Sequence, residues 1–181
     1  MSSVSPEPPK AGGEISGWAQ VEVYATFVKL TGDIEVVRPD RLSDSVNGSR
    51  RYLQLRNTRA EPLSVNYPVL SRVEPRTIIA KSAVILLCPL DEPGGNAASE
   101  LRRAKVAHQV AINTIAFSLV ADIHLEMGQT LLDHLERHPG AFLPLTNVSA
   151  LWVTALSSET NAVQRPFALL NPGGILSFSD R

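Results

Sequence analysis

The chain has 181 residues, enough to bury a sizeable core as one domain or as two small ones. Its 17 Lys and Arg against 18 Asp and Glu leave a formal net charge of −1, which excludes the global positive charge of typical nucleic-acid binders but allows a local basic patch. A single cysteine, Cys88, excludes an intramolecular disulfide framework and a cysteine-rich metal site.

The first segment, residues 1–16, is rich in Ser, Pro and Gly, and we expect it to be a disordered tail. It lacks the apolar centre of a signal peptide, and no apolar run in the chain approaches the roughly 20 residues that cross a bilayer. The sequence therefore predicts a cytoplasmic protein that makes no contact with a membrane.

Two strands come next, and a tight turn joins them. Val28, Leu30, Ile34 and Val36 alternate with polar residues, which is typical of a half-buried strand. Upstream, the apolar residues lie on the opposite parity, so we expect a hairpin turn or a bulge near Ala25.

A short helix is predicted to begin near Asp40, with Asp40 or Ser43 as its cap. Leu42 and Val46 are four residues apart and would face inward, and Gly48 would end the helix. The strand RYLQL follows, and RTIIAKSAVILLCPL reads as two further strands about a turn. The predicted unit is β-β-α-β-β-β.

The second part of the chain repeats this pattern. A shift of 89 positions pairs Val21 with Val110 and Asp33 with Asp122, and a shift of 90 after the helix pairs Tyr52 with Phe142. With that second shift, Val73, Ile85 and Leu86 pair with Val163, Ile175 and Leu176. The sequence thus predicts repeat 1 at 17–90, a linker with a short helix at 91–106, and repeat 2 at 107–181, with the second helix near Gln129.

The fold class that follows is mainly β with short helices. Five short strands in about 70 residues cannot bury a flat sheet on both faces, so each repeat is expected to form a small curled sheet or barrel. Two such tandem β-β-α-β-β-β units would pack with pseudo-two-fold symmetry, or would occupy adjacent places in a ring.

The stretch GDIEVVRPDRLSDSVNGSRRYLQLRNTRA resembles an uncharacterised bacterial family that carries a Gly-containing strand, Arg-Leu-Ser-Asp-x-Leu-Asn, and then aromatic-Leu-x-Leu-Thr-Asp. The residues that match the family's first motif are Arg41, Leu42, Ser43, Asp44 and Asn47. Val46 stands where that family has Leu, and Arg56-Asn57 replaces Thr-Asp; the second copy keeps Leu131, Asp133, Leu135 and FLPLTNV. The resemblance implies no particular activity.

A weaker likeness, to Sm-like RNA-binding barrels, rests on repeat size, the Gly in the second strand and the Asp and Asn near the connection. The Ile-Arg-Gly strand of those barrels is absent from this sequence.

Groups with possible chemistry have simpler interpretations. His134 and His138 share a helix face and could chelate a metal, with His124 and Glu126 on a nearby strand, but HLERH is not the zinc-protease order and we expect no metal or other cofactor. Cys88 is expected in a buried strand. The matched aspartates are more readily explained by duplication, helix ends and strand turns than by catalysis; they are Asp33, Asp44, Asp122 and Asp133.

One basic cluster remains as the candidate interaction site, and it consists of Arg41, Arg50, Arg51, Arg56 and Arg59. The favoured hypothesis is a non-enzymatic assembly or adaptor protein that self-associates as a homo-oligomer or binds a protein partner. The alternative is binding of RNA or a small anionic ligand through these arginines, and an enzyme ranks third.

Overall fold

A computed structural model describes residues 16–37, 41–63, 71–91, 105–153 and 160–181. The N-terminal segment (16–91) contains five strands and one α-helix. Their bounds are β1 Ser16–Tyr24, β2 Val28–Val37, α1 Leu42–Asn47, β3 Tyr52–Pro62, β4 Arg72–Ala80 and β5 Leu86–Pro89. A single 3₁₀ turn, Lys81–Ala83, joins the last two strands.

The C-terminal segment (105–181) has the same element order. Its bounds are β6 Lys105–Thr114, β7 Ser118–Glu126, α2 Leu131–Arg137, β8 Leu143–Val153, β9 Thr160–Leu170 and β10 Ile175–Asp180. A 3₁₀ turn, Pro172–Gly174, again joins the last two strands. The predicted mainly-β class with short helices is confirmed.

All ten strands form one antiparallel sheet in the order β10-β6-β7-β8-β9-β5-β1-β2-β3-β4. The two segments meet where β5 pairs with β9, through Leu86 opposite Leu170 and Leu87 opposite Leu169. They are therefore one continuous open sheet and not two separate barrels, and β4 and β10 are its outer strands. Pseudo-two-fold symmetry between the segments stays a prediction.

A kink at the same place in each segment curls the sheet. Asn57 in β3 and Asn147 in β8 have φ values of 50° and 51°, and the pairing with the preceding strand shifts beside each of them. The Nδ2 of Asn57 donates to Asp33 Oδ2 at 3.0 Å, and that of Asn147 donates to Asp122 Oδ2 at 2.7 Å. Gly32 lies at the first kink, where a Cβ would come within 2.9 Å of the Arg56 carbonyl oxygen.

Each segment has its own hydrophobic core, and each core receives side chains from the other segment. The N-terminal core includes Phe142 and Leu169 from the C-terminal segment. The C-terminal core includes Ile85 and Leu86 from the N-terminal segment. This exchange of fully or almost fully buried apolar side chains makes the β5–β9 junction part of the folded core.

Two sequence predictions about the last strands and α1 need correction. Leu53 pairs with Ile79, and its counterpart Leu143 pairs with Leu170. Ile79 therefore corresponds to Leu170, so the positional shift between the segments is 91 in these strands, not 90. The pairs Val73–Val163, Ile85–Ile175 and Leu86–Leu176 are each displaced by one residue, because the C-terminal segment gains a residue between its third and fourth strands.

The N-cap residue of α1 is Arg41, not Ser43, and Asp40 lies outside the described residues.

Other predictions concern the ends of the segments. Residues 1–15 and the predicted linker helix in 92–104 lie outside the described residues, and β6 already begins at Lys105, two residues before the predicted start of repeat 2. In the described ranges no helix is long and apolar enough to cross a membrane.

Candidate interaction surface

The β5–β9 junction defines what a contact between two of these segments requires. Phe142, immediately before β8, is fully buried in the N-terminal core. Its N–H donates to Asn47 Oδ1 at 2.8 Å, and its carbonyl oxygen accepts from Asn47 Nδ2 at 3.1 Å. The Asn47 side chain at the end of α1 thus pairs with the Phe142 backbone as a neighbouring strand would.

A buried polar network closes the same junction. Glu22 in β1 accepts hydrogen bonds from the Tyr24 hydroxyl at 2.8 Å and from the Arg165 guanidinium in β9. Burial, followed by the hydrogen bond to Glu22, raises the pKa of Tyr24 far above its usual value. The Glu22–Arg165 pair therefore fixes β1 against β9 across β5, and nothing in the sequence indicated it.

A cavity of about 400 Å³ opens beside this network, lined by both segments. Its charged side chains already form ion pairs with one another. Lys29 Nζ lies 2.8 Å from Glu61 Oε2 and 3.9 Å from Glu22 Oε1. The hydrogen bond from Lys29 holds the pKa of Glu61 below its usual value. Among the described residues that line the cavity, each carboxylate therefore already has a cationic side chain beside it.

The outer strand β4 and the start of its neighbour β3 carry the counterparts of the buried junction residues, and these are exposed. Tyr52 corresponds to Phe142, and its exposed fraction is 58% where that of Phe142 is 0%. Ile78 corresponds to Leu169, and the exposed fractions are 66% and 0%. This outer edge therefore exposes Tyr52 and Ile78, whereas their counterparts Phe142 and Leu169 are buried within the chain.

The other outer edge, at β10, carries the counterparts of the N-terminal core residues beside α1, and these are less buried. Val46, Val84 and Leu87 are buried next to Phe142 and Leu169. Their counterparts Leu135, Ile175 and Phe178 are only partly buried. Together with Leu131 they line what we call the α2 recess.

The five candidate arginines do not form one uniform surface. Arg56 Nε lies 3.2 Å from Asp33 Oδ2, and its guanidinium stacks 3.7 Å above the Trp18 ring centroid. Arg59 pairs with Glu61 at 3.1 Å. Arg41 is exposed at the N-cap of α1, while Arg50 and Arg51 are exposed in the loop that leads directly to Tyr52.

The three histidines considered as metal ligands, His124, His134 and His138, have local partners. His124 Nε2 lies 2.8 Å from Thr146 Oγ1, and His138 Nε2 lies 2.7 Å from the Phe142 carbonyl oxygen. The rings of His134 and His138 have centroids 6.0 Å apart. Among the described residues no group of three or more His, Cys, Asp or Glu side chains is arranged to hold a metal ion.

The matched aspartates lie at structural positions in each segment. Asp44 and Asp133 each lie in the first turn of a helix. Asp44 Oδ2 accepts a hydrogen bond from the Arg41 backbone N–H at 3.3 Å, and Asp133 Oδ2 accepts one from the Thr130 hydroxyl at 2.6 Å. Cys88 is fully buried in β5, as expected. Burial raises the pKa of its thiol to about 12.

The junction residues leave only a partial signal in the sequence. The pairing of Tyr52 with Phe142 is visible there, but the burial of one and the exposure of the other depend on which segment end is covered.

Comparisons with protein-family models, curated proteins and solved structures find no match for this chain.

Proposed function

We propose that the protein is a non-enzymatic assembly protein that self-associates through the two outer edges of its sheet. The observation that carries the proposal is the open sheet, whose edge strand β4 exposes Ile78 and whose edge strand β10 exposes Leu176. Exposed strand edges with apolar side chains pair readily with another chain. The β5–β9 pairing inside the chain supports the proposal, because it joins the corresponding edges of the two segments.

The role of the arginine cluster changes in this proposal. Arg56 and Arg59 already pair with carboxylates, and Arg50 and Arg51 are the exposed members of the cluster in the loop before Tyr52. There they would support a contact with an acidic protein surface more than a long phosphate track.

The second candidate function is binding of single-stranded RNA or a small anionic ligand. The observation that favours it is that the exposed Tyr52 directly follows the exposed Arg50 and Arg51 in the chain, because aromatic rings and arginines together bind unpaired bases. Such binding would weaken steeply as salt rises and would be lost in Arg50→Glu combined with Arg51→Glu. Binding of this kind without self-association would replace the first proposal.

The test of assembly is the mass of the purified protein in solution as its concentration is raised. We expect species heavier than the 19.6 kDa chain, and we expect Ile78→Lys to shift the population towards that mass because a charge on an edge strand opposes pairing. Val73→Lys is the matched control, since Val73 is exposed in the same strand but lies beyond the part corresponding to the junction. A single species of 19.6 kDa at every concentration would refute assembly.

A further inference from the structure

The α2 recess and the β4 edge correspond to the two sides of a contact that the chain already makes internally. From this correspondence we infer that Tyr52 and Ile78 of one copy fill the α2 recess of a second copy, as Phe142 and Leu169 fill the N-terminal core. The inference rests on the proposed self-association and names its anchor residues and its partner.

The first argument is the fit of apolar surfaces. At the internal junction, Phe142 and Leu169 lie in one cluster with Val46, Val84 and Leu87, and all five are buried. On the outer surfaces the corresponding side chains are an exposed tyrosine and isoleucine on one edge and the partly buried apolar side chains of the α2 recess on the other. Joining them would bury on each side what water now contacts, which is the main driving force for association.

The second argument is charge. In the internal junction a Cβ on Gly140 would lie 2.8 Å from Asn47 Cγ, so these two positions are neighbours across the contact. Counted along each segment, Gly140 corresponds to Arg50 and Asn47 to Glu136. Arg50 and Glu136 are both exposed, so the contact between copies would place an arginine beside a glutamate.

The third argument is direction. The internal junction joins unlike strands, the fifth of one segment and the fourth of the other. The contact between copies would therefore be head-to-tail, with β4 of one chain beside β10 of the next. Contacts of this kind close into rings or continue as filaments.

The experiment compares the self-association of Tyr52→Ala with that of the parent chain by sedimentation velocity. We expect the dissociation constant to rise at least about tenfold, as for a central aromatic anchor residue. Phe27→Ala is the matched control, because Phe27 is an exposed aromatic residue at the β1–β2 turn and should leave association unchanged. Since Tyr52 is itself exposed, its loss should leave the far-ultraviolet circular dichroism unaltered.

A charge exchange tests the same contact independently. Arg50→Glu and Glu136→Arg should each weaken association, and the double variant should recover most of the loss. Association that is unaffected by Tyr52→Ala and shows no recovery in the double variant would overturn this inference while leaving edge-mediated assembly in place. A parent chain that remains monomeric would overturn both.

Discussion

At the residue scale, the matched pairs Asp33–Asn57 and Asp122–Asn147 show how a polar motif can have a purely structural use. Each asparagine adopts a left-handed backbone that favours glycine or asparagine, and each aspartate accepts its side-chain amide. Paired carboxylates in a sequence suggest acid–base chemistry, yet these two hold the kinks that curl the sheet. Each pair lies at the same point of the strand order in its segment.

Replacing one of these asparagines tests that interpretation. Asn57→Ala should lower the free energy of unfolding by about 1–2 kcal/mol, because alanine is strained at positive φ and cannot bond Asp33. Asn57→Gly should cost less, since glycine removes only the hydrogen bond. Urea unfolding of the three proteins measures this, and an equal cost for Ala and Gly would contradict the backbone argument.

Cys88 gives a second prediction at this scale. Burial in β5 raises the pKa of its thiol to about 12, and only the thiolate reacts with a disulfide reagent. We expect no reaction with such a reagent at mildly alkaline pH in the folded protein and one equivalent after denaturation. Rapid labelling of the folded protein would show that β5 opens, and with it the junction to β9.

At the element scale, the two helices differ in what covers them. Val46 of α1 is buried beneath the other segment, whereas α2 contains no buried residue among its seven. His134 in α2 is part-buried, and this burial, followed by repulsion from His138, lowers its pKa below the usual value. The stability of the folded protein is therefore coupled to pH through His134.

The sign of that coupling can be predicted. The unfolded chain binds a proton on His134 near pH 6.5, before the folded protein does, so the free energy of unfolding should fall as the pH drops below about 6.5. His134→Gln should reduce this loss. His108→Gln, at an exposed position in β6, is the control that should not change it. Urea unfolding across this pH range measures the effect, and an unchanged slope in His134→Gln would contradict it.

The elements themselves were largely predictable from the sequence. The hairpins, both helices and the paired last strands followed from apolar alternation and turn residues, since these are local signals. The shift of 91 in the last strands did not, because it depends on an extra residue in a connection that carries no periodic pattern. The Glu22–Arg165 contact also could not be predicted, because it joins residues 143 positions apart through the sheet order.

At the scale of the whole molecule, the contact between the segments explains why two segments with the same element order have different surfaces. One junction is closed by buried leucines of β5 and β9 and by the Glu22–Arg165 pair. The outer edges carry more polar residues at two corresponding positions. Ser177 in β10 stands where β5 has Leu86, and Tyr52 at the start of β3 stands where Phe142 precedes β8. Under the proposed self-association, this composition suits a surface that is exposed to water in the free chain and buried in the contact.

Head-to-tail association predicts a definite register, which introduced cysteines can test. Leu86 lies opposite Leu170 within the chain, and the corresponding residues on the outer edges are Ser177 and Ile79. Facing residues of antiparallel strands have Cα atoms about 4.5–5.5 Å apart, which is within the range that a disulfide spans. An equimolar mixture of Ile79→Cys and Ser177→Cys chains should therefore form a disulfide-linked dimer on mild oxidation.

The controls decide between alternative contacts, and the buried Cys88 should not interfere. Neither variant alone should cross-link, because the contact joins unlike strands. Replacing Ser177→Cys by Asp180→Cys should abolish the product, since this position lies three residues further along β10. Cross-linking of Ile79→Cys with itself would instead indicate a symmetric β4–β4 contact, and it would rule out the head-to-tail geometry because an edge paired with its own copy is no longer available to β10.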